Sequence, residues 1–185
     1  INIIEGVTSI NSYAFEYCSN LISVNIPDSV TSIGSSAFSG CSSLTSLTIP
    51  ESVTSIDSSA FYDCSNLKSI NIPNNLTVIS NFLFYSCKSL TNITIPVNVA
   101  SIGSSAFYDC SSLTSLTIPE NVTTIGNSAF SGCTNLASIN IPNNLTVISV
   151  GLFYNCKSLT SITIPESVTS IEMNAFNKCS GLTSI

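Results

Sequence analysis

Cys18, Cys41, Cys64, Cys87, Cys110, Cys133, Cys156 and Cys179 stand 23 residues apart along the whole chain. Proline keeps the same interval from Pro27 to Pro165, with Ile4 holding that place in the first copy. So strict a period marks an array of stacked units, because one unit of this size cannot bury its own apolar side. In the copy from Leu44 to Asn66, the positions that stay apolar throughout are Leu44, Leu47, Ile49, Val53, Ile56, Ala60, Phe61 and Cys64. The others are nearly all Ser, Thr, Asn, Gly or acidic, the pattern of a thin coil with one dry side and one wet side.

Spacing within the unit predicts its local structure. Leu47-Thr48-Ile49 alternates apolar, polar, apolar and stops at Pro50, which has no backbone donor, so it reads as a short strand. Val53-Thr54-Ser55-Ile56 reads as a second, weaker β segment. Ser58 to Cys64 places Ala60, Phe61 and Cys64 at three- and four-residue spacing behind capping serines, which predicts one helical or 3₁₀ turn. Strands stacked about 4.8 Å apart over eight units predict a rod of roughly 35 to 40 Å.

The string from Ala37-Phe38 through Cys41, Leu44, Leu47 and Ile49 to Val53 and Ile56 resembles the BspA-like class of leucine-rich repeats, and the resemblance extends over all eight copies. It implies an α/β repeat solenoid: a right-handed leucine-rich-repeat coil with a parallel, concave β-sheet and short helical or 3₁₀ turns on the convex side. It also implies a cell-surface or secreted protein that adheres to host matrix or to other cells. Residues 1–185 are expected to form one array of eight units. Ile1 and Ile185 share a phase and no polar capping unit appears. The expectation is a piece of a longer array, or ends that dock head to tail into an extracellular filament.

Composition narrows the chemistry. The chain holds no His, and its four basic residues are all Lys, set against ten acidic ones for a net charge of −6. Without imidazole there is no His-activated nucleophile or His-ligated metal, and without Arg no bidentate clamp for phosphate. A basic footprint for nucleic acid is lacking too. No run of residues is long and apolar enough to insert into a membrane. The expectation is a non-enzymatic scaffold with no cofactor and no metal site, binding a protein or glycan partner.

The outward side chains of the strands are the candidate contact surface, a concave face formed by Ser46, Thr48, Ser69, Asn71, Asn92, Thr94, Ser115, Thr117, Ser138 and Asn140. They make two columns of hydroxyls and amides, read either as a solvated sheet face or as a broad, shallow recognition surface. Phe38, Phe61, Phe84, Phe107 and Phe130 are expected to stack as a core spine. Cys41, Cys64, Cys87, Cys110 and Cys133 sit at one phase with parallel Cβ vectors, poor geometry for bridging, so they read as a ladder of reduced, buried thiols, with disulfides as the alternative. Tyr62, Tyr85, Tyr108 and Tyr154 share a position just after the Phe and read as packing over the turn or as a contact stripe. Glu51 and Glu120 belong to a broken acidic column expected at a solubilising edge. Asn75, Asn92, Asn121 and Asn144 lie in glycosylation sequons, which a chain this rich in Asn, Ser and Thr produces by chance.

A slower rhythm overlies the first. Residues 66–96 and 135–165 differ only at the pairs 68/137, 81/150, 82/151, 86/155 and 92/161. Their offset is three units, which points to duplication of a three-unit block.

Overall fold

The computed structural model describes all of residues 1–185. Each 23-residue unit forms one coil, and the coils stack through twelve two-residue strands: β1 (Ser9–Ile10), β2 (Ser32–Ile33), β3 (Ser46–Leu47), β4 (Ser55–Ile56), β5 (Ser69–Ile70), β6 (Val78–Ile79), β7 (Ser101–Ile102), β8 (Ser115–Leu116), β9 (Thr124–Ile125), β10 (Ser138–Ile139), β11 (Val147–Ile148) and β12 (Ser170–Ile171). Every pairing is parallel, and every residue faces its counterpart one unit away, as with Ser46 opposite Ser69 and Ile33 opposite Ile56. A one-residue slip would turn each Ile or Leu out of the interior, which fixes this register.

The strands form two columns. The Leu47 column pairs β3 with β5 and β8 with β10, extended by single bridges such as Ser69 to Asn92. The Ile56 column, expected to be the weaker, carries the longer ladders, β1-β2-β4 and β6-β7-β9, followed by β11-β12. Its two breaks fall three units apart and share the same residues. In most coils a backbone N–H after the strand reaches the previous coil, as Gly34 does to Ile10 (2.7 Å) and Gly126 to Ile102 (2.8 Å). At the breaks the Ser80 and Ser149 hydroxyls donate to the Ile56 and Ile125 carbonyls instead. These coils also bury Leu76 with Leu83 and Leu145 with Leu152, where most other coils carry Val and Ala. Both breaks thus combine a bulkier buried pair with a serine hydroxyl in place of the backbone N–H.

Between the Ile56 strand and Cys64 the chain forms no helix. The expected helical or 3₁₀ turn is a train of hydrogen-bonded turns in which Ser59 (φ 62°) and Asp63 (φ 52°) are left-handed. The same two positions have positive φ in every coil, filled by Tyr13 and Tyr17 in the first and by Gly40 and Gly132 further along. These reversals aim alternate N–H groups along the stacking axis. Ser59 donates to Asn81 (3.0 Å), Phe61 to Leu83 (3.1 Å) and Asp63 to Tyr85 (2.7 Å), while Tyr62 and Cys64 bond back to Ser59 and Phe61 within the coil. A helix would spend all of these donors inside one coil. Only 7 of the 93 backbone hydrogen bonds lie within strand ladders, and this train of turns adds bonds between coils at every boundary.

The interior is one continuous cluster of 52 buried apolar residues. Phe38, Phe61, Phe84, Phe107 and Phe130 are fully buried, and the Phe rings from Phe15 to Phe176 stack with centroids 5.2 to 5.8 Å apart. Cys41, Cys64, Cys87, Cys110 and Cys133 are fully buried free thiols. From Cys41 to Cys179 each Sγ donates to the carbonyl of the Phe one coil back, at 3.0 to 3.2 Å. The recurring Cys is thus a small apolar filler that also satisfies a buried acceptor.

Glycine at 34, 103 and 126 serves close approach rather than left-handed backbone, and Asp57 and Glu172 hold the same place in other coils. A Cβ at Gly126 would meet the Ser104 nitrogen, and one at Gly34 would lie 2.5 Å from the Ser12 nitrogen.

Candidate functional site

The Leu47 column carries a chain of shallow grooves. One of about 550 Å³ brings together Ser46, Thr48, Ser69, Asn71, Asn92 and Thr94 over a floor of Leu47, Ile70, Ile72 and Ile93, with Glu51, Asn74 and Pro96 at its margin. A second, of about 430 Å³, unites Thr117, Ser138 and Asn140 with Ser161 and Thr163. A third, of about 400 Å³, joins them through Asn92, Thr94, Ser115 and Thr117. Toward the N-terminus, Ser23, Asn25, Ser46 and Thr48 continue the depression. The ten candidate residues therefore share one trough, because strand alternation turns their side chains outward while Leu47, Ile70 and Leu116 turn in.

Two of the ten are not free to meet a partner with both ends of the amide. The Asn71 side chain accepts from the Ile49 N–H and donates to the Ile49 carbonyl, both at 2.7 Å. Asn140 repeats this on Ile118, at 2.7 and 2.8 Å. Each amide imitates one residue of a strand, tying a coil to its predecessor where strand pairing has ended. Ser46, Thr48, Ser69, Asn92, Thr94, Ser115, Thr117 and Ser138 are exposed. Their hydroxyls and amides offer both donors and acceptors without a cation or an aromatic ring among them.

The margin beyond the prolines is ordered by carboxylates and amides. Glu51 accepts from the Asn74 N–H and Glu120 from the Asn143 N–H, both at 2.9 Å. Asn75, Asn98, Asn121 and Asn144 each donate a side-chain N–H to a carbonyl of the preceding coil, at 2.7 to 3.0 Å. Three of the four sequon asparagines thus belong to this amide ladder, and Asn92 lies apart from it in the trough.

On the turn side, Tyr62, Tyr85 and Tyr108 stack at 4.6 and 4.7 Å with rings within 3° of parallel. Phe82 tilts against Tyr85, and the Lys178 ammonium lies 4.9 Å over Tyr154. The tyrosines pack on one another, so most ring faces in this stripe are already occupied. The Ile56 column holds a groove of about 400 Å³ lined by Ser80, Asn81, Ser101, Gly103, Ser104 and Gly126 that the sequence pattern does not single out.

Chemically the surface is quiet. Burial pushes the Cys41 thiol up to about 11 and the Cys133 thiol up to about 12, and it raises Cys64, Cys87, Cys110 and Cys156 as well. A protonated thiol inside the stack is neither a nucleophile nor a ligand. No group of three or more His, Cys, Asp or Glu is placed to hold a metal ion. No helix is long and apolar enough to cross a membrane.

Stacked coils, parallel two-residue strands and an invariant apolar register define a leucine-rich-repeat solenoid. The BspA type Leucine rich repeat region matches residues 1–114 and 100–185, in 6 copies, and the chain belongs to that family. A leucine-rich repeat protein from Bacteroides ovatus is similar over 89% of this chain at 36% identity, with a TM-score of 0.85. The chain spans 45% of that protein's length. The T. pallidum leucine-rich repeat protein is 30% identical over 99% of this chain and 77% of its own, with a TM-score of 0.68. The pneumococcal vaccine antigen PcpA shares the fold at 22% identity and a TM-score of 0.62, over 96% of this chain and 53% of its own. No curated protein matches.

Proposed function

We propose that this chain is a non-enzymatic interaction scaffold, displayed at a cell surface or secreted, and that it holds a protein or glycan partner in the trough of the Leu47 column. One observation carries the reading: four grooves share lining residues and run without interruption from Ser23 to Pro165. A long, shallow, rigid surface suits an extended partner and gives no closed cleft for a reaction. An oxidising exterior is compatible with seven thiols sealed in the core, since oxidation requires an accessible thiolate. The test replaces Ser46, Ser69, Thr94 and Thr117 by Lys and compares capture of immobilised matrix proteins and polysaccharides with the unaltered chain. Circular dichroism checks the fold. Loss of capture with an unchanged spectrum supports the reading, and equal capture by both proteins removes the trough from it.

A further inference from the structure

We infer that the trough holds two equivalent sites, three coils apart, for a neutral oligosaccharide. This inference rests on the proposed binding face and deepens it. The two larger grooves are the same construction made twice. Thr48, Ser69, Asn71 and Thr94 of the first correspond to Thr117, Ser138, Asn140 and Thr163 of the second. Among the lining residues only Asn92 differs from its counterpart, Ser161. The frame is duplicated as well as the lining. The amide of Asn71 is locked on Ile49 and that of Asn140 on Ile118, while Glu51 and Glu120 each hold the N–H of an Asn at the groove margin. Rigid, hydrogen-bonded framing of this kind lowers the ordering cost of binding.

The chemistry of the lining selects the ligand class. The only ionisable group in the first groove is Glu51, and the second is lined by none. Nothing there attracts an anion, so sulfated, phosphorylated or uronic chains are disfavoured. Of the apolar floor residues Leu47, Ile70 and Ile72 are buried and Ile93 is half-buried, and no Trp, Tyr or Arg faces the trough, so the anchors that protein interfaces depend on are missing. Hydroxyls and amides with threonine methyls between them match a hydroxyl-rich, uncharged chain. At about 4.8 Å per coil the sites lie roughly 14 Å apart, and the groove through Asn92 and Thr117 connects them. One long chain can therefore occupy both sites, with the second contact made at high effective concentration.

The experiment uses the whole chain in isothermal titration calorimetry with size-fractionated oligosaccharides from mannan, dextran and xylan. Heparin oligosaccharides of the same lengths serve as the anionic control. At least one neutral series is expected to bind, with two short oligosaccharides per chain but one long one, and with the long one at least tenfold tighter. Ser69→Lys and Ser138→Lys should each reduce the short-ligand stoichiometry to one and remove the tenfold gain, and together they should abolish binding. Thr94→Lys and Thr163→Lys repeat the comparison should a strand variant fold poorly. A single site per chain, unequal sites, preference for heparin, or no neutral series bound overturns the inference. If the quadruple Lys variant has meanwhile lost a captured protein, the trough still stands as the binding face. If that variant keeps every interaction, both fall.

Discussion

Alkaline titration should unfold this protein through its interior. The ordinary thiol value is 9.0, and inside the stack burial holds Cys133 up to about 12 and raises Cys64, Cys87, Cys110 and Cys156. A folded value above the unfolded one means that the native state keeps its protons while the unfolded chain releases them. The stability these thiols contribute is therefore complete below about pH 9 and falls as pH rises. One pH unit above that point each costs about 1.4 kcal/mol, and the five together cost about 7 kcal/mol. Domains typically hold about 5 to 15 kcal/mol in reserve, so cooperative unfolding is expected between about pH 9.5 and 11. Urea denaturation followed by circular dichroism in the presence of reductant, at steps from about pH 8 to 10, measures the slope. Cys110→Ala should remove about 1 kcal/mol of the loss between about pH 9 and 10. A urea midpoint that does not move over this range, or thiolate absorbance from more than the one exposed thiol, Cys18, before the fold is lost, would refute the argument.

Phe107 is fully buried and stacked on both sides, so Phe107→Ala should cost about 4 to 5 kcal/mol, whereas Phe15→Ala, at a half-buried ring with one partner, should cost less than half as much in the same denaturation assay. Ser59→Gly should stabilise the fold by about 0.5 to 1 kcal/mol, because φ is 62° there and only glycine adopts it without strain; an unchanged or lower melting temperature would contradict this. Asn140→Ala should cost about 1 to 2 kcal/mol and speed hydrogen exchange at the Ile118 amide, which loses its acceptor. Gly126→Ala should destabilise by more than about 2 kcal/mol, since its Cβ would meet backbone of the neighbouring coil, and a wild-type melting curve would show that the coils can part at that point.

The apolar register was legible because its evidence is repeated: Leu44, Leu47, Ile49, Val53, Ile56, Ala60, Phe61 and Cys64 stand at positions that stay apolar in every copy, and in the structure all eight are buried. Parallel strands and the place of the candidate hydroxyls followed from the same alternation. The turn after Ile56 was misread because helical spacing of Ala60, Phe61 and Cys64 is also produced by turns that face the core at similar intervals. The decisive residues, Ser59 and Asp63, are left-handed without being glycine, and the neighbouring coil imposes that conformation by accepting their N–H groups. Asn71 and Asn140 lie on the outward face, but their grip on Ile49 and Ile118 was hidden because an amide in a strand gives no sign of which backbone it will engage. The relative strength of the two strand columns was also hidden, since both alternate apolar and polar residues alike.

The bonds between coils lie along the long axis, and that has a mechanical consequence. Tension applied at the two ends loads them one coil boundary at a time, so the chain should yield by peeling and not all at once. Each coil that contributes about 4.8 Å to the folded length releases roughly 80 Å of slack when it opens. A tether built this way lengthens severalfold under load while the unpeeled coils keep their shape.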